Sequence, residues 1–395
     1  MLLMFVLLQF TETLEKKKIS YNLWTSLMST KKDKFTFKDK LFMELALDLA
    51  KSREGHTGSN PSVGCVIVKN DKIISIGQTS FNGRPHAEYN AIVNSHEKVH
   101  GSKMYVTLEP CCHYGKTSPC TSTIINSKIN EVIYSIKDVD KRVRGKSKKI
   151  LNLNNIEVKT GLLKDQVSEF YSSYFYNRKY KLPYVTGKIA ISKNNLIYSK
   201  GTKRITNKLS DNFTHLLRHK NDSIMVSSKT LNKDNSKLNS RIKNLKNYTP
   251  TRVILDNQLN INTKSYLFKT VKKNNTFVFY NRAKKSKIEE FKKNKIKLIK
   301  SNLSKDKKFD LKIIFRKLYY LGVRNILVEG GNELTNSLIK RKLFNKFYLY
   351  QSKKILSKFV DYKEFTGLKT LKQNYKNKFN VKLNLGNDKL TLYRN

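Results

Sequence analysis

Cysteine, proline, tryptophan and long apolar runs are scarce in this sequence. Its 395 residues include 4 Cys, 6 Pro and 1 Trp. All four cysteines fall between Cys65 and Cys120, which excludes a disulfide framework distributed along the chain. No apolar stretch reaches the roughly 18 residues that a membrane-spanning helix needs, so the sequence argues against an integral membrane protein. There is also no internal repeat and no heptad pattern.

Acidic residues are few as well, with 30 Asp and Glu against 79 Lys and Arg and a formal net charge of +49. Such an excess raises the possibility of nucleic-acid binding. Here the charge is spread along the chain together with abundant Asn, Ile, Tyr and Phe, whose codons, like those of Lys, are rich in A and T. Genomic base composition therefore accounts for the bias without a polyanionic partner. The charge still favours phosphorylated small molecules over neutral ones.

Aromatic residues, in contrast, are plentiful. The 21 Tyr and 20 Phe supply large buriable area, although hydrophobic residues make up only 38% of the chain. This content argues against wholesale disorder. At roughly 100–200 residues per domain, the length predicts two or three domains.

The first ten residues, MLLMFVLLQF, are apolar, and a basic run follows them at Lys16-Lys17-Lys18. A secretory signal has the opposite order, with positive charge before the apolar core and a small-residue cleavage site after it. We therefore expect residues 1–38 to be a poorly ordered extension, or the true start to lie at Met28 or Met43. The expected location is the cytoplasm.

Helical and strand-like segments alternate from Lys38 onward. LFMELALDLAKS and AEYNAIVNSHEKV predict helices, and GCVIV and KIISIG predict strands joined by a turn at Asn70-Asp71. A helical stretch from Asp165 to Arg178 leads to Leu182-Pro183, where we place a domain boundary. The sequence thus predicts an α/β protein with domains at 39–165 and 183–395, joined by a helical linker at 166–182.

The second domain is predicted from a further series of strands and one Gly-rich turn. NILVEGGNELTNSLI indicates a strand, a turn at Gly330-Gly331 and a helix whose first backbone N–H groups suit a phosphate. A lone GG is a weak signal, and taken by itself a plain turn is the better explanation. Lys- and Asn-rich loops such as 232–250 separate the strands, and FNVKLNL and KLTLYRN predict a terminal hairpin that turns at Gly386-Asn387-Asp388. The remaining strands are predicted at PYVTGKIAIS, DSIMVSS, RVILD, TFVFY, IKLIK and KFYLY.

One group of residues has the composition of a metal-binding site. His86 is followed two residues later by Glu88, and Cys111 and Cys120 lie downstream, each directly after a proline. One imidazole and two thiolates give Zn²⁺ three protein ligands and leave a fourth position for water. Glu88 is too close to His86 to be a convenient ligand, but it is well placed to take and return a proton. The pattern H-x-E followed by P-C is typical of zinc-dependent deaminases.

Eight residues, instead of the usual two, separate Cys111 from Cys120. Cys112 adjoins Cys111 and is better explained as a packed or free thiol than as a ligand. His113 is equally compatible with a loop position and with a substrate contact. Cys65, inside an apolar run, is expected to be a buried small hydrophobe. A structural zinc module remains an alternative, and it would require a fourth protein ligand.

NPSVGCVIV, GRPHAEYNAI and YVTLEPCCHYGKTSPC, in this order, resemble the deaminase half of the bifunctional riboflavin-biosynthesis deaminase–reductases. The long cysteine spacing is that family's own variant. The resemblance implies a cytidine-deaminase-like α/β/α layer domain that removes an amino group from a diaminopyrimidinone carrying a ribosylamino 5-phosphate. It also implies the zinc ligands His86, Cys111 and Cys120, the proton shuttle Glu88, and a pyrimidine contact at Asn60. Cys112 stands where this family usually has Ser.

The second half is similar to the family's reductase domain, which has a dihydrofolate-reductase-like α/β fold and uses NADPH to reduce the ribosyl group to ribityl. The resemblance places cofactor contacts at Ala190, Arg204, Thr230, Asp234, Asn257, Gly331, Asn332, Glu333 and Leu334. It places substrate contacts at Thr202, Arg218, Leu238, Arg241 and Glu329. Two of these, Arg218 and Arg241, make physical sense because guanidinium groups recognise phosphate in a bidentate way.

The reductase half departs from the family pattern at two turns. The family's S-x-D-G reads Ser192-Lys193-Asn194-Asn195, and Asn can replace Gly at positive φ. Arg204 stands where a Trp usually lies against the cofactor, which removes a flat stacking surface. A deaminase with an inactive reductase domain is therefore one alternative.

A nucleic-acid deaminase, such as one acting on tRNA, is the main rival. It would share His86 and Glu88 and would suit the positive charge. The eight-residue cysteine spacing and the C-terminal half argue against it. The expected partner is a phosphorylated pyrimidine small molecule, with no nucleic acid or membrane and a possible homo-oligomer.

Overall fold

The computed structural model describes residues 34–242 and 248–395, which form two compact units. The first unit contains most of the chain up to Phe170, and the second runs from Tyr171 to the C-terminus and also takes in Glu54–Pro61 and Phe81–Gly83. Most of the predicted N-terminal extension, with Met28, lies outside the described residues, as does part of the predicted loop 232–250. No helix within the described ranges has both the length and the apolar character to cross a bilayer.

The first helix, α1 (Phe37–Ser52), begins four residues before the predicted LFMELALDLAKS. Thr36 caps it: its hydroxyl accepts from the Asp39 backbone N–H, and the Asp39 carboxylate accepts from the Thr36 N–H. This reciprocal pair satisfies two N–H groups that would otherwise lack partners at the helix start. Eight of its residues, from Leu41 to Ala50, are buried, so the helix is a core element.

The first unit is built on a five-stranded sheet in the order β2-β1-β3-β4-β5. Strands β1 and β2 form the predicted antiparallel hairpin, in which Asn70 and Asp71 both have positive φ (50° and 60°). Strands β3, β4 and β5 run parallel. The strands are β1 (Gly64–Lys69), β2 (Lys72–Gln78), β3 (Lys103–Leu108), β4 (Glu131–Ile136) and β5 (Glu157–Thr160).

Short helices follow the strands of this unit. They are α2 (Ala87–Val93), α3 (Cys120–Asn126), α4 (Lys146–Leu153) and α5 (Lys164–Phe170). The helix predicted from AEYNAIVNSHEKV is shorter than expected, because α2 ends at Val93 and Asn94 caps it. The helical stretch predicted from Asp165 to Arg178 is two helices, α5 and α6 (Ser172–Tyr180), which meet at Tyr171.

The second unit holds a nine-stranded sheet in the order β11-β10-β9-β8-β12-β6-β13-β16-β15. All neighbouring pairs from β11 to β13 are parallel, whereas β16 pairs antiparallel with both β13 and β15. The predicted terminal hairpin is therefore confirmed, with Asn380 opposite Thr391. A separate ribbon is formed by β7 and β14. The strands are β6 (Tyr184–Ile191), β7 (Leu196–Ser199), β8 (Ser223–Ser227), β9 (Thr251–Leu255), β10 (Thr276–Tyr280), β11 (Lys297–Lys300), β12 (Asn325–Val328), β13 (Lys346–Gln351), β14 (Tyr362–Glu364), β15 (Asn377–Asn380) and β16 (Lys389–Arg394).

Successive residues of the central strands point into two different cores. Val253 and Leu255 of β9 belong to the larger apolar cluster, whereas Ile254 between them belongs to the smaller one. This alternation follows from the two-residue period of a strand, and it shows that both faces of the sheet are covered. The helices of this unit after α6 are α7 (Lys208–His219), α8 (Ser228–Asp234), α9 (Tyr266–Thr270), α10 (Lys285–Lys293), α11 (Leu311–Tyr320), α12 (Asn332–Lys340) and α13 (Leu368–Asn374).

Candidate functional site

Three loops of the first unit bring the predicted metal ligands together. His86 is the residue that immediately precedes α2, Cys111 follows β3 after two intervening residues, and Cys120 is the first residue of α3. Nδ1 of His86 lies 3.6 Å from Sγ of Cys111 and 3.4 Å from Sγ of Cys120. All three ligand atoms lie within 4.8 Å of one another.

These separations match what Zn²⁺ requires. With Zn–N near 2.0 Å and Zn–S near 2.3 Å, a tetrahedral angle puts nitrogen and sulfur about 3.5 Å apart. No fourth His, Cys, Asp or Glu atom joins the group within the described part of the chain. The donor set therefore fits a zinc site that has three protein ligands.

The carboxylate of Glu88 is buried beside this group, with 4% of the residue exposed. Burial raises the pKa of Glu88 to about 7, while His86 opposes the rise. A carboxyl group with a pKa near neutrality is suited to both accepting and releasing a proton.

The two thiols differ in their ionisation. A hydrogen bond from Cys120 lowers the pKa of Cys111 to about 4 against the effect of burial, and His86 lowers it further. The Cys120 backbone N–H also points at Sγ of Cys111, 3.3 Å away. The pKa of Cys120 is raised, first by its bond to the Cys111 sulfur and then by burial. Without metal, these shifts favour a thiolate at Cys111 and a protonated thiol at Cys120. The thiolate is the form that binds zinc.

Glu109, which the sequence analysis did not single out, anchors the loop that carries Cys111. Its buried carboxylate accepts backbone N–H bonds from Asp138 (3.2 Å), Gly145 (3.0 Å) and Ser147 (3.3 Å). The Ser147 hydroxyl also donates to the Pro110 carbonyl oxygen at 2.6 Å. An acidic residue between an apolar strand and a proline is the signal that could have identified it, since buried carboxylates need such partners.

The neighbouring side chains have different surroundings. Sγ of Cys112 points away from the ligand group, toward the Arg142 carbonyl oxygen 3.5 Å away. Nδ1 of His113 is buried and has no hydrogen-bond partner among the described residues. Cys65 is fully buried in β1, as expected. A guanidinium nitrogen of Arg84 donates to the Thr117 hydroxyl and ties the loop before His86 to the loop before Cys120.

In the second unit, a polar surface forms where β8 and β12 end. The Gly330–Gly331 turn precedes α12, as predicted, and a Cβ on Gly331 would lie 3.1 Å from Oγ1 of Thr230. The Ser227 and Thr230 hydroxyls are 3.1 Å apart. Backbone N–H groups at a helix start and nearby hydroxyls suit the diphosphate of a dinucleotide, so these residues fit NADPH.

Arg218 and Glu329 form a largely buried ion pair in the same unit. Nε and Nη2 of Arg218 donate to the two carboxylate oxygens of Glu329 at 2.6 and 2.8 Å. Arg241 is close by; its backbone N–H lies 3.3 Å from Nδ1 of His215. Lys188 of β6, missed by the sequence analysis, also acts on Glu329 electrostatically. Burial lowers the pKa of Lys188, and Glu329 opposes that shift.

The other predicted reductase positions occupy varied surroundings. Oδ1 of Asn257 is buried and has no partner within the described ranges. Burial raises the pKa of Asp234. Leu238 is 2% exposed and packs in the smaller core. Ala190 lies on β6, opposite Tyr350.

Three predicted contact residues are already engaged with protein groups. Arg204 is exposed and lies 3.4 Å from the Asp211 carboxylate. Thr202 donates its backbone N–H to the Ser199 carbonyl oxygen at 3.0 Å. Nδ2 of Asn60 donates to the Gly83 carbonyl oxygen at 2.8 Å.

The Asn194–Asn195 turn is well accommodated. Asn195 has φ +64°, the conformation that glycine would adopt there. Asn194 accepts from the Ser192 hydroxyl (2.7 Å) and from the Leu356 N–H (3.1 Å), and its Nδ2 donates to the Leu356 carbonyl oxygen (2.8 Å). The departure from Asp-Gly is therefore structurally benign.

Comparison with known proteins identifies relatives of both parts. Residues 36–136 match the cytidine and deoxycytidylate deaminase zinc-binding region, and residues 183–388 match the RibD C-terminal domain. Riboflavin biosynthesis protein RibD of Aquifex aeolicus is 31% identical over 358 residues, which cover 90% of this chain and 98% of that protein. The Actinobacillus pleuropneumoniae RibD is 33% identical over 323 residues, covering 81% of this chain and 85% of that protein.

A solved structure agrees over both units. The Thermotoga maritima diaminohydroxyphosphoribosylaminopyrimidine deaminase/5-amino-6-(5-phosphoribosylamino)uracil reductase is 28% identical, with a TM-score of 0.77, and the match covers 90% of this chain and 98% of that one. A deaminase domain and a reductase domain are thus both present, which confirms the predicted fold class. This chain belongs to the RibD family of riboflavin biosynthesis, as a bifunctional deaminase and reductase that uses Zn²⁺ and NADPH.

Proposed function

We propose that this chain acts on the two substrates named for the Thermotoga maritima enzyme, a diaminohydroxyphosphoribosylaminopyrimidine and a 5-amino-6-(5-phosphoribosylamino)uracil. The observation that carries the proposal is the group of His86, Cys111 and Cys120 beside the buried Glu88. We assign the deaminase to residues 39–165, a linker to 166–182 and the reductase to 183–395.

In the deaminase, His86, Cys111 and Cys120 would hold zinc, which when bound would supply a Lewis acid for the activation of water. The Glu88 carboxylate would accept a proton from the attacking water and deliver it to the departing amino nitrogen. Its burial supports this role, because a carboxyl group with pKa about 7 exchanges protons readily at neutral pH. Water replaces the amino group as an oxygen on the ring, and ammonia leaves.

In the reductase, NADPH supplies a hydride to the sugar. The turn at Gly331 and the helix start through Leu334 bind the cofactor, together with Thr230. Arg218 orients Glu329, whose carboxylate accepts a hydrogen bond from a substrate hydroxyl. Arg241 recognises the 5-phosphate, for which a guanidinium is well suited.

The chain is expected to work in the cytoplasm on phosphorylated pyrimidines, without a nucleic-acid or membrane partner. The predicted zinc ligands and Glu88 lie in the first unit and the predicted cofactor residues in the second, which supports two separate activities. RNA should not compete with the pyrimidine substrate at physiological salt, where backbone contacts to polyanions are weakened.

The test measures ammonia release and NADPH oxidation separately on the purified full chain. Both activities should be present with their respective substrates. Removal of zinc by a chelator should abolish ammonia release and leave NADPH oxidation on the deaminated substrate unchanged. Ammonia release that survives complete zinc removal would overturn the proposed deaminase, and a chain without NADPH oxidation would overturn the proposed reductase.

A further inference from the structure

The side chain of Asn332, the first residue of α12, is engaged by Thr366. Nδ2 of Asn332 donates to Oγ1 of Thr366 at 3.2 Å, and Oδ1 of Asn332 accepts from the Thr366 backbone N–H at 3.3 Å. Both ends of the Asn332 amide are thus directed at one residue. Thr366 lies between β14 and α13, more than thirty residues away in the chain.

A second amide reinforces this contact one helical turn later. Nδ2 of Asn336 donates to Oγ1 of Thr366 at 2.6 Å and to Oδ1 of Asn332 at 3.1 Å. The approach is close, because a Cβ on Gly367 would lie 2.0 Å from Oδ1 of Asn336. Any larger residue at position 367 would therefore displace the Asn336 amide from this position.

The segment Tyr362–Gly367, here named the strap, also contacts the other turn of this unit. Its β14 part pairs with β7, and the Phe365 N–H donates to the Asn195 carbonyl oxygen at 2.9 Å. The Phe365 side chain is 2% exposed and belongs to the larger core. The strap thus joins the Asn194–Asn195 turn to the start of α12, and a buried aromatic side chain fixes its position.

We infer that Thr366 is a positioning residue for the cofactor, acting through Asn332 on the Gly330–Gly331 turn. The inference rests on the proposed function of that turn. Because the Asn332 amide is directed at Thr366, Asn332 serves the cofactor through its backbone N–H and not through its side chain. The strap holds the helix start at the orientation in which its N–H groups face the diphosphate.

The test compares Thr366→Val with Thr366→Ser in the full chain. Valine keeps the shape of threonine but has no hydroxyl, whereas serine keeps the hydroxyl. We expect the Kd for NADP⁺, measured by calorimetry, to rise roughly three- to ten-fold in Thr366→Val, in line with the loss of one or two hydrogen bonds. The Kd of the Thr366→Ser variant for NADP⁺ should stay within about two-fold of that of the unchanged chain. The KM for NADPH should follow the Kd, while kcat changes less.

Thr370→Val, in the helix that follows the strap, is the matched control for replacement of a threonine hydroxyl by a methyl group. Zinc-dependent ammonia release should be equal in all variants, and urea unfolding of the second unit, followed by circular dichroism, verifies that this unit is folded. Equal Kd values for NADP⁺ in Thr366→Val and the unchanged chain would overturn the inference. If the unchanged chain itself does not bind NADP⁺, the proposed function of the turn fails instead, so the two failures are distinguishable.

Discussion

Arg218 donates two parallel hydrogen bonds to the carboxylate of Glu329, and both side chains are almost enclosed, at 13% and 14% exposure. Burial raises the pKa of Glu329, but Arg218, Lys188 and His215 together lower it by more, so the net pKa is below its ordinary value. The pair is therefore ionised at neutral pH, although both residues come from positions expected to contact substrate. Each side chain thus fixes the orientation of the other at a predicted substrate contact.

Removing one member of this pair should destabilise the second unit. Glu329→Gln leaves the Arg218 charge buried without its partner, and we expect a loss of about 3–5 kcal/mol in the stability of the second unit. Urea unfolding followed by circular dichroism measures it. Arg218→Met combined with Glu329→Gln should cost less than the two single changes together, because neither charge is then left unpaired. Additive losses would show that the two side chains do not act as a pair.

His215 should make the second unit sensitive to mild acid. Burial, with Arg218 and Arg241 adding to it, lowers the pKa of His215 to about 4 from an ordinary 6.5. Between these values the unfolded chain binds a proton and the folded chain does not, so stability falls as the pH drops through this window. In the His215→Gln variant, the stability of the second unit should depend less on pH in this range.

Hydrogen exchange of peptides from α7 (Lys208–His219) reports this effect, with variant and unchanged chain compared at each pH between 7.5 and 5. Glu329 favours the charged imidazole and limits the size of the effect. An equal loss of protection in both chains as the pH falls would contradict the assignment to His215.

Glu88→Gln should separate metal binding from proton transfer. Glutamine keeps the shape of the side chain but cannot accept and return a proton, so ammonia release should fall by about 10²–10⁴-fold. Zinc content, measured by atomic absorption, and NADPH oxidation by the same sample should be unchanged. Residual deamination close to that of the unchanged chain would remove Glu88 from its proposed role.

Two adjacent cysteines provide a matched pair for the metal site. Cys111→Ser replaces a thiolate ligand and should lower the zinc content well below one ion per chain, with loss of ammonia release. Cys112→Ser should retain both, because Sγ of Cys112 is directed at the Arg142 carbonyl oxygen and not at the ligand group. Zinc loss in Cys112→Ser would show that the second thiol does contribute to the site.

The metal site was predictable because its chemistry requires specific residue types at characteristic spacings. His86, Cys111 and Cys120 come together as the H-x-E and P-C patterns predict, with Glu88 buried beside them. The predicted α/β class follows from strand and helix periodicity in the same way. These features are local, so the sequence alone contains enough information to predict them.

Long-range pairing accounts for most of what the sequence did not reveal. The partnership of Arg218 with Glu329 and of Thr366 with Asn332 depends on strand order, which periodicity does not determine. The length of α2 was overestimated, since polar residues after Val93 fit a helix and a loop equally well. The burial of the Leu238 side chain in the smaller core was not evident from the sequence either, and its contact with substrate stays a prediction.

The three backbone N–H groups that hold Glu109 come from a stretch of chain, Asp138 to Ser147, that contains none of the zinc ligands. Glu109 in turn fixes the peptide that leads into Cys111. We therefore expect zinc affinity to depend on this loop as well as on the sulfur and nitrogen donors. Evolutionary or engineered changes there would retune zinc retention while leaving every coordinating atom in place.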